Sequence, residues 1–159
     1  MKFFTSSILL LASFTSANPV ITHSPRQTTP GPYKISNFFA SKTHLSGYCS
    51  FEFQVTSPTL TTPATCTAYL DSGFSGSWWL ASVWPGAGKC DNAAVDWTFY
   101  QQQAFDDTPA NFSVTIDGVE GRYTIPKEDI SVSVNGNSPF DDDVYYSGPR
   151  DFEIVEFGN

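Results

Sequence analysis

Apolar and polar residues alternate with a period near two along most of the chain after residue 32. Tyr48 to Val55 sets Cys49, Phe51, Phe53 and Val55 on one face, with polar residues between them. Val95 to Phe99 and Phe112 to Ile116 alternate in the same way. This is the signature of strands with one buried face. Asp117-Gly118 follows Ile116 directly and predicts a tight hairpin into a strand over Val119 to Ile125. Tyr33 to Phe39, Thr65 to Leu70, Ser77 to Val83, Ile130 to Val134 and Phe152 to Phe157 are further predicted strands. No segment carries a helical stripe, and Gln101 to Phe105 offers at most one turn. Short strands separated by Gly, Pro and Asp-rich turns predict an all-β domain, a single antiparallel barrel or sandwich of about eight to ten strands.

The first 32 residues break this pattern. Lys2 precedes a run from Phe3 to Phe14 that is mostly apolar, and Thr15-Ser16-Ala17 supplies the small residues that signal peptidase requires. Residues 1–17 therefore read as a signal peptide, with an apolar stretch too short to span a bilayer. Residues 18–32, rich in Pro, Thr and Ser, read as a flexible leader or a pro-segment ending near Arg26, so that the mature chain begins between Asn18 and Gln27. The β-domain is expected over residues 33–159. The expected localisation is secreted and extracellular, with no membrane span.

Charge removes further classes. The 159 residues carry a formal charge of −8, and clustered Lys and Arg are missing, which argues against nucleic acid and anionic membrane as partners. Aromatic residues make up 16% of the chain and charged residues only 15%, a balance that favours a packed aromatic core over disorder. Cys49, Cys66 and Cys90 form at most one disulfide in an oxidising compartment and leave one thiol over. No Cys-x-x-Cys occurs and the histidines are His23 and His44 alone, so no metal and no cofactor are expected. Asp141-Asp142-Asp143 reads as a solvated loop; a calcium site is the sharper alternative, but the spaced carboxylates and glycine of an EF-hand loop are missing.

Catalytic constellations are sparse. Gly73-Phe74-Ser75-Gly76-Ser77 lacks the Gly-x-Ser-x-Gly spacing, and His44 is the sole base candidate outside the leader. Cleavage after Ala17 exposes Asn18, so the N-terminal histidine of copper polysaccharide oxygenases is missing too. No spacing singles out the carboxylate pair that a glycosidase needs. Trp78, Trp79 and Trp84 are candidates for a ligand surface; Trp97, inside an alternating strand, is read as core. Asn111-Phe112-Ser113 is an N-glycosylation sequon at the edge of a strand.

Ile35-Ser36-Asn37-Phe38-Phe39-Ala40, His44 to Phe53 and Thr65-Cys66-Thr67-Ala68 resemble small secreted proteins of filamentous fungi in the family of the Alternaria major allergen. Tyr123-Thr124-Ile125-Pro126 and Tyr146-Ser147-Gly148-Pro149-Arg150-Asp151-Phe152 are similar to motifs that recur there. Together these motifs cover about residues 33–157. The resemblance implies a compact β-barrel or sandwich, export, no catalytic centre, and roles as effector, elicitor or allergen, with a flavonoid-like ligand in the allergen branch. It also maps that family's disulfide onto Cys66 and Cys90. Relatives often carry a cysteine where this chain has Ser41-Lys42-Thr43. Cys49 is then left as a free thiol on the core face, a Cys49–Cys66 bridge being the competitor. The family's dimer-forming cysteine has no counterpart, so a monomer is expected.

The expected function is that of a secreted, non-catalytic effector-like virulence protein that binds a host extracellular protein or small molecule. The alternative is a carbohydrate- or small-molecule-binding module using exposed tryptophans, and the third reading is a hydrolase with an unobvious carboxylate pair.

Overall fold

Alternation carries the strands into two antiparallel sheets packed face to face. The computed structural model describes residues 31–42, 45–73, 78–102, 108–134 and 142–158. The predicted signal peptide, residues 18–30 of the predicted leader, both histidines, Phe74 to Ser77, Phe105 and Asp141 lie outside the described residues. The larger, seven-stranded sheet runs β4 (Lys89–Cys90), β3 (Ala64–Asp71), β2 (Tyr48–Thr56), β1 (Tyr33–Lys42), β9 (Asp143–Tyr146) and β8 (Ile130–Ser133). A short strand, β10 (Phe152–Ile154), lies beside the start of β1. The smaller sheet runs β11 (Glu156–Phe157), β7 (Val119–Ile125), β6 (Ala110–Ile116) and β5 (Val95–Gln101). Neither sheet closes on itself, so of the two predicted architectures the protein adopts the sandwich.

The inner faces carry the predicted apolar phase. Cys49, Phe51, Phe53 and Val55 meet Trp97, Phe99, Phe112 and Val114 between the sheets, all buried. Phe53 meets Trp97 edge-on at 5.1 Å and Phe112 edge-on at 5.2 Å, the arrangement that ring quadrupoles favour. Each such side chain contributes about 1.5–3 kcal/mol of burial. Trp97 fits because residue 88 is glycine: a Cβ there would stand 2.3 Å from the indole Nε1.

The hairpin at Asp117-Gly118 has positive φ at both residues, 50° and 81°, as a type I′ turn requires. Asn37, at φ 55°, inserts a bulge between Ser36 and Phe39 that simple alternation does not reveal. The bulge rotates Phe38 into the core against Phe112 and Tyr146, and sends Phe39 outward. Asp151 Oδ1 accepts the Asn37 N–H at 3.0 Å, and the Arg150 carbonyl accepts that of Phe38 at 2.9 Å.

Three predictions need correction. Ser77 to Val83 is not a strand among its described residues: the Leu80 N–H donates to Gln101 Oε1 and that of Ala81 to Cys49 Sγ, so side chains take the place of a ladder. Val83 alone bridges to Phe99. Phe152 to Phe157 is two strands, because the chain crosses at exposed Val155 from the larger sheet to the smaller. Gly121 makes room for that crossing, since a Cβ there would meet Ile154 at 2.8 Å. Gln101 belongs to β5 rather than to a helical turn, and β4 and β9 were not predicted.

Candidate binding surfaces

The outer face of the larger sheet collects aromatic rings. Register places Tyr145, Ser41, Ser50 and Tyr69 in one row across β9, β1, β2 and β3. Three strand spacings separate the two tyrosines, about 14 Å. Tyr69 is 61% exposed, and Tyr48 stacks on it with ring centroids 5.0 Å apart and planes 8° from parallel. Phe39, turned outward by the bulge, is exposed on the same face opposite Glu52. The row itself carries no formal charge. Large planar rings separated by small hydroxyls can bury area at low entropic cost while offering hydrogen bonds, a chemistry suited to a protein partner.

The outer face of the smaller sheet is built differently. Its central row is Thr98, Ser113, Arg122 and Glu156, each opposite the next. Thr98 and Ser113 share a hydrogen bond of 2.7 Å between their hydroxyls, and Arg122 donates to Glu120 at 2.7 Å. That bond holds the Glu120 carboxyl below its usual pKa. These residues, with Tyr100, Asn111 and Thr124, line a groove of about 420 Å³. Trp84, 62% exposed, sits 5.9 Å from the Tyr100 ring beside the groove.

The other tryptophans have other neighbours. The Trp78 indole donates to Asp142 Oδ2 at 2.7 Å, while Trp79 is half-buried. The structure therefore pairs Trp84 with Tyr100 and ties Trp78 to the β9 side. The solvated-loop reading of Asp141-Asp142-Asp143 fails at Asp142, which is 2% exposed and bonded to Trp78, and at Asp143, which opens β9. Asp142 closes a buried polar layer at one end of the core, with Lys42, Cys49, Ser72 and Gln101. Lys42 lies directly opposite Cys49 in the β1–β2 register. Burial pushes the Lys42 ammonium down, opposed by Asp142, and pushes the Cys49 thiol up. Sequence patterning alone missed this layer, since Lys42 occupies an apolar phase and Asp142 an acidic run.

The disulfide joins Cys66 to Cys90, which face each other across β3 and β4, and Cys49 is the buried free thiol. Among the described residues no group of three or more His, Cys, Asp or Glu is placed to hold a metal. These features define a disulfide-bonded antiparallel β-sandwich with one aromatic and one grooved outer face. No protein family, curated protein or solved structure matches the chain.

Proposed function

We propose that this is a secreted effector-like protein that acts by binding a host extracellular protein, without turnover, through the outer face of its larger sheet. The observation that carries this reading is the uncharged row Tyr145–Ser41–Ser50–Tyr69, with Tyr48 stacked on one end and Phe39 beside it. A chain of net charge −8 that keeps this row free of charge offers a partner aromatic anchors without electrostatic selection. The signal-peptide pattern of residues 1–17 and the Cys66–Cys90 bridge support an oxidising, extracellular destination.

Immobilised mature protein, incubated with host apoplastic fluid, is expected to retain a partner that purified protein then binds directly. Substitution of Tyr69 and Tyr145 by Ser should abolish that retention. Retention unchanged by both substitutions rejects the face. A second reading, recognition of a carbohydrate, draws on Trp84 and Tyr100 beside the groove. Glycan-array binding lost on Trp84→Ala would support it.

A further inference from the structure

The sequon asparagine, an exposed aromatic pair and a polar groove fall on the same few square nanometres of the smaller sheet. Asn111 and Tyr100 are directly opposite in the β5–β6 register, both exposed, so their Cβ atoms lie about 4.5–5.5 Å apart on the outer face. Trp84 flanks Tyr100 on the side away from Asn111's own strand. Asn111 itself lines the groove, together with Arg122, Glu120 and Thr124.

From this geometry we infer that Asn111 carries an N-linked glycan whose first sugar lies in the groove against Tyr100 and whose next sugar crosses that ring to Trp84. The inference rests on the export part of the proposed function and not on its binding face. The chemistry is a group transfer from a lipid diphosphate-linked oligosaccharide. Asn111 Nδ2 loses a proton and bonds to the anomeric carbon of the first N-acetylglucosamine, while the bond from that carbon to the diphosphate breaks and the lipid diphosphate leaves with its electron pair. The folded protein is a poor acceptor, because the sequon hydroxyl of Ser113 is buried and bonded to Thr98. Transfer therefore precedes the pairing of β5 with β6, and folding then brings Tyr100 up beside the sugar.

Two problems of the bare surface are resolved at once. Trp84 and Tyr100 are large rings exposed on an otherwise polar face, and the apolar face of a pyranose covers such rings in water. The sugar hydroxyls and acetamido group meet planar polar side chains, Arg122 and Glu120, already oriented by their mutual hydrogen bond. The glycan thus fills the groove as a built-in ligand, leaving the aromatic face of the larger sheet as the open one.

The test uses the full chain expressed through a eukaryotic secretory pathway. Peptide mapping by mass spectrometry should find Asn111 glycosylated in the secreted protein. Endoglycosidase trimming to the single proximal sugar, and complete enzymatic removal, should then increase acrylamide quenching of tryptophan fluorescence, most strongly on complete removal. Complete removal should also lower Tm by roughly 2–4 °C. Both changes should vanish in Trp84→Phe/Tyr100→Ser, which keeps the sequon intact. Retention of the chain inside the cell without a glycan overturns both this inference and the export reading. Secretion with Asn111 unmodified overturns this inference alone, as does a glycan whose removal leaves quenching and Tm unchanged. Secretion with Asn111 unmodified, together with binding of free oligosaccharide in the groove, would replace the built-in ligand by an external one.

Discussion

The two outer faces of the sandwich use the same strand geometry and the same small hydroxyl residues for different ends. On the larger sheet, Ser41 and Ser50 separate exposed tyrosines, and nothing in that row is charged. On the smaller sheet, Thr98 and Ser113 bond to each other beside an arginine–glutamate pair, and a groove opens over them. The inner faces differ far less: both bury phenylalanine and branched aliphatics in close contact, to which the smaller sheet adds Trp97. Inward positions therefore specify the fold, and outward positions, equally regular in register, decide what each face can hold.

The largest expected effect breaks both faces together. Trp97→Ala removes a ring packed against Phe51, Phe53 and Phe112 and should cost about 3–5 kcal/mol in denaturant unfolding. Gly88→Ala should be destabilising at the same contact, because its Cβ meets the indole at 2.3 Å. A disulfide-free Cys66→Ser/Cys90→Ser protein tests the larger sheet selectively, since the bridge fastens edge strand β4 to β3. Opening a cross-link with a sequence separation of 24 should lower stability by about 3 kcal/mol.

Smaller effects separate the faces. Tyr69→Ala should weaken partner binding by about 2 kcal/mol, roughly thirtyfold, as an anchor ring does. It should change stability by less than about 1 kcal/mol, because the ring is 61% exposed and stacks on Tyr48, itself exposed. Titration of binding and thermal melts of the same variant distinguish these outcomes. The smallest effect belongs to the groove. Glu120 has a folded pKa below its ordinary value of 4.5, so its contribution is present above pH 4.5 and lost as pH falls through the folded value. Because the side chain is 37% exposed, Glu120→Gln should remove at most a few tenths of a kcal/mol of that acid-dependent stability in a comparison of pH 3 and pH 6 melts.

Most of the strands were legible because one buried face imposes a period of two. Val119 to Ile125 and the hairpin before it follow directly from alternation and from Asp-Gly. What escaped was the backbone's response to tertiary partners. The Asn37 bulge depends on Arg150 and Asp151, more than a hundred residues away, and segment 78–82 trades a ladder for bonds to Gln101 and Cys49. The candidate surfaces were half legible. Tryptophan attracts attention by rarity, and of the three candidates Trp84 does lie beside an exposed ring and a groove. The tyrosines of the larger sheet carried a signal that was available, since Tyr48 and Tyr69 occupy the outward phase of their strands. Their convergence with Tyr145 needed the β1–β9 pairing, which sequence patterning did not provide because β9 sits behind an acidic run.

The most direct test of binding through the aromatic face compares dissociation constants for the retained host partner across three proteins. These are the unaltered chain, a Tyr69→Ser/Tyr145→Ser variant of the larger sheet, and a Tyr100→Ser/Arg122→Ser variant of the smaller. The larger-sheet variant should lose at least a hundredfold in affinity while the smaller-sheet variant binds within about twofold of the original, with all three proteins folded by circular dichroism. Loss of affinity in the smaller-sheet variant, with binding intact in the tyrosine variant, would contradict binding through the aromatic face.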